Sequence, residues 1–106
     1  MKLLATDMDG TFLDSSKRFS MEFFDIFEEL RKRKIKFVIA SGNQYEALVC
    51  KFDDDIKDDL YYLCENGTKI VYRGDVIYKH CLETDDYQHA LNILKEDEEC
   101  MLVVSG

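Results

Sequence analysis

The sequence lacks the long apolar segments that would place it in or across a membrane. Its 106 residues contain no run approaching the roughly 18 apolar residues of a membrane span. The residues ahead of the first predicted strand do not have the pattern of a secretory signal peptide. We therefore expect one domain at most, a cytoplasmic location and no membrane partner.

Basic residues are also too few for a nucleic-acid-binding surface. Lys and Arg number 14 against 22 Asp and Glu, which gives a formal charge of −8. This charge disfavours non-specific binding to nucleic acid and to anionic membranes. The one basic run, Arg31 to Lys34, ends a predicted helix, where cations favour the negative end of the helix dipole. We expect no nucleic-acid partner.

Cysteine is present but lacks the spacing of a metal or redox motif. No CxxC pair occurs, and no cysteine has zinc-type spacing from His80 or His89. Cys64 lies in an apolar run and is expected to pack as a small hydrophobic residue. Reduced, structural thiols are expected at Cys50, Cys64, Cys81 and Cys100.

The most informative stretch is at the amino terminus, where a short apolar run ends in two carboxylates. The run Leu3 to Ala5 predicts a buried strand, and strand alternation puts Asp7 and Asp9 on one side if the chain stays extended. Gly10 then allows a sharp turn, because glycine takes positive φ without steric cost. Two like charges this close are unfavourable unless a cation or a shared proton compensates them. Packing alone would not select this arrangement.

Three interpretations of these carboxylates compete. A solvated acidic turn requires no chemistry. A calcium loop of the EF-hand type needs a third oxygen ligand at its fifth position, glycine at its sixth and glutamate at its twelfth, between two helices. Here the glycine comes fourth and a strand precedes it. Phosphoryl transfer to an aspartate at the carboxyl end of a strand, beside bound magnesium, fits the pattern.

The segment Asp7-Met8-Asp9-Gly10-Thr11-Phe12-Leu13 resembles the first motif of the haloacid dehalogenase superfamily, DxDGT followed by an apolar pair. A closer likeness, to the Cof-type sugar phosphatases of that superfamily, rests on Ala40-Ser41-Gly42-Asn43-Gln44-Tyr45 and Glu65-Asn66-Gly67-Thr68. The resemblance implies an α/β fold with a Rossmann-like core. Residues 1–81 would form the N-terminal half of that core, with three parallel strands, flanking helices and a β-hairpin. Residues 82–106 would begin an α/β cap domain.

Hydrophobic periodicity independently predicts a βαβ unit after the first strand. Ser20 is the expected N-cap of a helix, and the second strand, Ile35 to Ala40, is apolar enough for burial on both faces. Parallel strands of such a unit end at the same edge of the sheet, so Asp7 and Ser41 should lie at one edge, where ligands of open α/β sheets bind. The apolar face of the helix is predicted to comprise Phe23, Ile26, Phe27 and Leu30.

The segment Ser41-Gly42-Asn43 precedes a helix predicted at roughly 44–51, and a hydroxyl, a glycine amide and a helix N-terminus together favour phosphate binding. Taken alone the segment is a weak signal; beside Asp7 it becomes stronger. Further along the chain we predict an acidic solvated connection at 53–59, a third parallel strand at Tyr61–Cys64, and a hairpin of Lys69–Tyr72 and Val76–Lys79 joined through Arg73-Gly74-Asp75. A helix N-capped by Thr84 follows, with Tyr87, Leu91 and Leu94 inward. The last predicted element is an apolar strand in Cys100–Val104.

The resemblance also implies a role for each matching residue. Asp7 would be the nucleophile that forms an aspartyl-phosphate, and Asp9 the acid and base, with Thr11 orienting Asp9. The Asp7 carboxylate and the Asp9 backbone carbonyl would hold the cofactor, Mg²⁺. The transferring phosphoryl group and the substrate would be bound by Thr11, Ser41, Gly42 and Asn43, although many relatives have arginine where Asn43 stands.

Two motifs of the family, a third that supplies a lysine and a fourth that supplies further aspartates, have no counterpart in these 106 residues. The implied function is a Mg²⁺-dependent phosphatase of small phosphorylated metabolites, with little activity in this chain alone. A non-enzymatic phospho-acceptor or phosphate-binding module is the alternative, although a receiver domain would want an aspartate at the end of strand three, where Cys64 stands. In relatives the first strand pairs with later core strands, so we expect an exposed edge here, through which the chain would self-associate.

Overall fold

The structure is a computed structural model that describes residues 2–16, 18–99, 101 and 103–104. In chain order its helices and strands are β1 (Lys2–Asp7), α1 (Glu22–Lys32), β2 (Ile35–Ala40), α2 (Tyr45–Val49), α3 (Asp54–Lys57), β3 (Tyr61–Cys64), β4 (Lys69–Tyr72), β5 (Asp75–Lys79) and α4 (Thr84–Leu94), with a short 3₁₀ turn at Glu65–Gly67. No helix among the described residues is long and apolar enough to cross a membrane.

The strands form one mixed sheet in the order β1-β2-β3-β4-β5. β1 pairs in parallel with β2, and β2 with β3, as the predicted crossover unit requires. β3, β4 and β5 are antiparallel neighbours. The predicted hairpin is therefore confirmed, with a turn at Arg73 (φ 53°) and Gly74 (φ 78°), while Asp75 already belongs to β5. Two central residues with positive φ match the right-handed twist of the flanking strands.

Side chains of α1, α2 and α3 share one buried cluster with one face of the sheet. The three helices lie on the same face because successive right-handed crossovers that move in one direction across a sheet put their helices on one side. The predicted burial of β2 on both faces is confirmed at its centre, where the consecutive residues Phe37, Val38 and Ile39 are buried. The cluster contains Met8, Leu13, Phe23, Phe27, Phe37, Ile39, Leu48, Phe52, Ile56, Leu60, Tyr62, Cys64 and Val71.

The burial predicted for β1 is also wrong. The side chains of Leu3 and Leu4 are 61% and 46% exposed, because β1 is the outer strand of the described sheet and pairs only with β2. The expectation of an exposed apolar edge is thereby met. In α1, Phe23 and Phe27 are buried as predicted, but Ile26 is 52% exposed and Phe24 packs against the core in its place.

Several predicted boundaries shift. α1 begins at Glu22, and its N-cap is Met21, not the predicted Ser20. The Ser20 hydroxyl still accepts a hydrogen bond from the Glu22 amide at 3.2 Å and so satisfies one of the unpaired N–H groups of the first turn. The acidic connection contains the short helix α3, whose Ile56 is buried. That helix forms because Ile56 and Leu60 reach the core while the aspartates around them stay at the surface.

The last segment departs furthest from its prediction. Glu83, not Thr84, is the N-cap of α4, and α4 has no buried residue. Tyr87 and Leu91 are half-buried, whereas Leu94 is exposed. Of the predicted last strand, Met101, Val103 and Val104 are not in a strand, and Cys100 and Leu102 lie outside the described residues.

Candidate active site

The first part of the candidate site is the loop that follows β1. Met8 is 1% exposed, while Asp7 and Asp9 on either side of it are exposed. This is the alternation expected if the chain stays extended for two residues beyond the strand. The core thus holds Met8 and leaves both carboxylates toward solvent. Thr11 also lies in this loop and is exposed.

The loop closes on its own backbone. The Phe12 amide donates to the carbonyls of Asp7 at 3.2 Å and of Met8 at 3.1 Å, and the Leu13 amide donates to the Met8 carbonyl at 2.8 Å. Gly10 has φ +74°, a conformation that costs glycine little and other residues more. The Asp7 carboxylate Oδ1 accepts the Met8 N–H at 2.8 Å, which restrains the orientation of the carboxylate.

The apolar pair that ends the motif fixes the loop to the core. Leu13 is 3% exposed. The ring centroid of Phe12 lies 4.8 Å from that of Phe23 in an edge arrangement and 5.5 Å from that of Phe19 in a stacked one. Such pairs contribute about 0.5–1.5 kcal/mol each beyond the area they bury. The carboxylates therefore lie on a loop held at both ends.

The second part of the candidate site is the loop after β2. Asp7 and Ala40 are partners in the parallel register of β1 and β2, so Ser41 lies one residue past the partner of Asp7, at the same edge of the sheet. The Ser41 hydroxyl accepts the Asn43 N–H at 3.1 Å. The helix predicted at roughly 44–51 is present but shorter: α2 runs over Tyr45–Val49. Its dipole can contribute little to phosphate binding, because so few aligned peptide units sum to a small dipole.

The loop Ser41–Asn43 is braced by the neighbouring turn Glu65–Gly67. The Ser41 amide donates to the Leu63 carbonyl at 2.9 Å, the Asn66 amide donates to the Ser41 carbonyl at 3.2 Å, and the Glu65 amide donates to the Asn43 carbonyl at 3.0 Å. Glu65 and Asn66 both take left-handed conformations, φ 50° and 57°. Such conformations in residues other than glycine are uncommon and mark positions that their surroundings impose.

Gly42 shows how closely these two loops approach. A Cβ built on Gly42 would lie 2.9 Å from Oδ1 of Asn66, nearer than ordinary packing allows. The resemblance implies that Glu65-Asn66-Gly67 forms a loop beside the active site, but it does not assign a role to Asn66. The Asn66-Gly67 pair, typical of a turn with positive φ, was a signal for the turn but could not show which loop it touches.

Burial also sets the chemistry beneath this edge. It raises the pKa of the Cys64 thiol to about 11, and Cys64 is fully buried directly before the bracing turn. Burial likewise raises the pKa of Tyr62, whose hydroxyl donates to the Lys57 carbonyl at 2.9 Å. Both groups therefore stay neutral at physiological pH, and the sheet under the site carries no charge from them.

The magnesium expectation is tested by the donor set. Asp7 supplies a carboxylate oxygen and Asp9 a backbone carbonyl oxygen, and oxygen is the ligand type that Mg²⁺ prefers. In the part of the chain that the structure describes, no group of three or more His, Cys, Asp or Glu side chains could hold a metal ion. The donors fit magnesium in kind, and with one carboxylate and one carbonyl as protein ligands the ion would keep several of its waters.

Comparison with known proteins gives the family. The family model of haloacid dehalogenase-like hydrolases matches residues 4–106. A 5-amino-6-(5-phospho-D-ribitylamino)uracil phosphatase of Escherichia coli is 33% identical over 107 residues, which cover 100% of this chain and 39% of that protein. The chain thus spans about two-fifths of the length of this curated relative.

Solved structures agree. A crystal structure of a Streptococcus mutans protein matches with a TM-score of 0.82 and 33% identity, covering 92% of this chain and 36% of that one. A Bacteroides thetaiotaomicron member of the haloalkanoate superfamily of phosphatases matches with a TM-score of 0.73 and 26% identity, covering 91% and 35%. The predicted α/β, Rossmann-like core is confirmed, and the chain belongs to the haloacid dehalogenase-like hydrolase family.

Proposed function

We propose that this chain carries the nucleophile half of a magnesium-dependent phosphatase of the Cof type, which hydrolyses small phosphorylated metabolites through an aspartyl-phosphate. The observation that carries the proposal is the shared edge: Asp7 and Ser41 directly follow the carboxyl ends of adjacent parallel strands. Family membership supports a hydrolase, and the E. coli relative is a phosphatase by name. The cytoplasmic location and the division into 1–81 and 82–106 belong to the same proposal.

In the first step the Asp7 carboxylate attacks the phosphorus of the ester. A P–O bond forms to Asp7, the bond to the leaving oxygen breaks, and Asp9 donates a proton to that oxygen, so that an alcohol departs. Ser41 donates a hydrogen bond to the transferring phosphoryl group, and the Gly42 and Asn43 positions border it. The restraint of the Asp7 carboxylate by the Met8 amide, 2.8 Å from Oδ1, reduces the entropy lost in reaching the attack geometry.

In the second step water attacks the same phosphorus. Asp9, now ionised, accepts the proton of that water, and the P–O bond to Asp7 breaks to release inorganic phosphate and the free carboxylate. Thr11 orients Asp9. The Asp7 carboxylate and the Asp9 carbonyl would hold Mg²⁺, which when bound supplies positive charge to the phosphoryl oxygens.

The alternative, a non-enzymatic phospho-acceptor or phosphate-binding module, has less support. Such a receiver would need its acceptor aspartate at the end of β3, where the fully buried Cys64 stands instead.

The test is hydrolysis of an aryl phosphate with Mg²⁺, by the 106-residue chain and by any longer polypeptide that its reading frame encodes. We expect the longer polypeptide to turn over and Asp7→Asn to slow it at least about a thousandfold, as loss of a nucleophile does. The chain alone should be at least about a hundredfold slower, because the family's further charge-stabilising groups are not in it. Asp25→Asn, an exposed carboxylate on α1, is the matched control.

Turnover that survives Asp7→Asn would refute the proposed nucleophile. Activity of the chain alone equal to that of the longer polypeptide would refute the expectation that this half is insufficient.

A further inference from the structure

A cleft of about 960 Å³ opens beside the candidate phosphate loop. Its lining includes Gly42, Asn43 and Asn66 of the two loops, and Tyr87 and Leu91 of α4. Its size is that of a small-molecule site, roughly 300–1,000 Å³. A ligand whose phosphate lies at the loop Ser41–Asn43 would extend its remaining atoms into this cleft.

The cleft carries an unusual pair of cations. Lys69 and Lys79 are direct partners in the antiparallel register of β4 and β5, and both line the cleft. Like charges directly opposite each other on a sheet are destabilising, so packing does not explain the pair. Among the described residues neither ammonium group has an ion-pair partner, whereas Lys32 and Lys57 pair with Glu29 and Asp54.

The charge around the pair is also unlike that of the rest of the molecule. The chain has a formal charge of −8, yet among the described residues that line the cleft Glu65 is the only acidic one. Two lysines against one carboxylate, in a concave and partly apolar site, give a local positive potential that favours an anion.

The lysine pair is rigidly connected to the phosphate loop. The Thr68 hydroxyl donates to the Glu65 carbonyl at 2.9 Å, and the His80 amide donates to the Thr68 carbonyl at 2.8 Å. Because Thr68 and His80 flank Lys69 and Lys79, the backbone that carries the cations is fixed to the turn that braces Ser41. The distance between the backbone of the lysine pair and the phosphate loop is therefore set by the sheet.

We propose that Lys69 and Lys79 bind a second anionic group, a phosphate or a carboxylate, on the leaving part of the substrate. The inference rests on the proposed function and narrows its substrate class: phosphorylated metabolites with a second anionic group on the same scaffold. Tyr87 and Leu91, both half-buried on α4, cover the carbon atoms between the two anions.

The test is an amide-resolved NMR titration of the 106-residue chain at constant ionic strength, with a hexose bisphosphate and the corresponding hexose monophosphate. One additional charge-assisted contact should make the bisphosphate bind roughly tenfold more tightly. In the double variant Lys69→Gln/Lys79→Gln that preference should disappear, while monophosphate affinity stays within about twofold. Lys32→Gln/Lys57→Gln makes the same change of net charge outside the cleft and should keep the preference.

The outcomes separate the two proposals. Loss of the preference in both double variants, or in neither, overturns the inference, because the effect would then follow net charge or not involve the pair. Ser41→Ala should weaken both ligands alike. If it weakens neither while the lysine pair still selects the bisphosphate, the inference holds and the proposed phosphate site fails. A carboxylate-bearing monophosphate in place of the bisphosphate tells which second anion is preferred.

Discussion

The two loops of the candidate site are held in different ways. The loop after β1 is closed by hydrogen bonds among its own residues, Asp7 to Leu13, and it follows an edge strand. The loop after β2 follows an interior strand. Its Ser41 amide donates to Leu63 of β3, and its Ser41 and Asn43 carbonyls accept from the turn Glu65–Gly67, more than twenty residues away. The candidate nucleophile is therefore positioned locally, whereas the candidate phosphate loop depends on tertiary structure.

The largest expected effect concerns the end of β3 that supports the bracing turn. In the folded protein the pKa of Cys64 is raised by burial from its ordinary value of 9.0 to about 11. The unfolded thiol therefore ionises first, and stability present below pH 9 is lost as pH rises to about 11, by up to about 3 kcal/mol. Burial also raises the pKa of Tyr62, so this residue adds to the loss of stability above pH 10.

Urea unfolding at pH 8, 9, 10 and 11 measures this slope. Cys64→Ala should flatten it between pH 9 and 11, whatever the variant costs in absolute stability. Cys50→Ala, at an exposed thiol, should leave the dependence of stability on pH as it is in the wild type. Equal slopes for the wild type and Cys64→Ala would contradict the assignment.

An intermediate effect is expected where the two loops meet. Gly42→Ala should cost about 1–3 kcal/mol, because its Cβ would lie 2.9 Å from Oδ1 of Asn66. Adding Asn66→Gly removes that atom and relieves a left-handed backbone, so the double variant should recover most of the loss. Thermal and urea unfolding of the four chains of this cycle give the coupling energy.

Gly10→Ala is the comparison on the locally closed loop. A Cβ there would meet nothing within 4 Å, but φ is +74°, so the cost should be about 1–2 kcal/mol of backbone strain. Adding Asn66→Gly should not reduce the cost of Gly10→Ala. Rescue of Gly10→Ala by Asn66→Gly would show that the two loops are not independent.

The smallest expected effect in free energy concerns the edge strand that carries the Asp7 loop. With Leu3 and Leu4 exposed on an edge strand of the described sheet, we expect weak self-association of the isolated chain. Leu4→Lys should shift sedimentation toward monomer, because a charged side chain on an edge opposes strand pairing. Ile93→Lys, at a similarly exposed residue on α4, should not. Identical sedimentation of the wild type and Leu4→Lys would argue against association through this edge.

The sequence by itself determined the parts that local chemistry controls. The motif Asp7–Leu13 specifies its own turn through Gly10 and its own anchor through Phe12 and Leu13. The three parallel strands and the hairpin followed from apolar runs and from the Arg73-Gly74 turn. The family likewise followed from residues that are adjacent in the chain, since a motif of consecutive residues can be recognised without knowing what it touches.

Only the tertiary structure decided the rest. Burial of β1 could not be predicted, because exposure depends on which strands lie beside it and not on its own residues. The contact of Gly42 with Asn66 and the pairing of Lys69 with Lys79 depend on register between segments that are far apart or joined by a turn. The same limit explains why Ile26 and Leu94, predicted to face inward, are exposed. Periodicity identifies an apolar helix face, but the partner that buries this face is set by the packing of the whole chain.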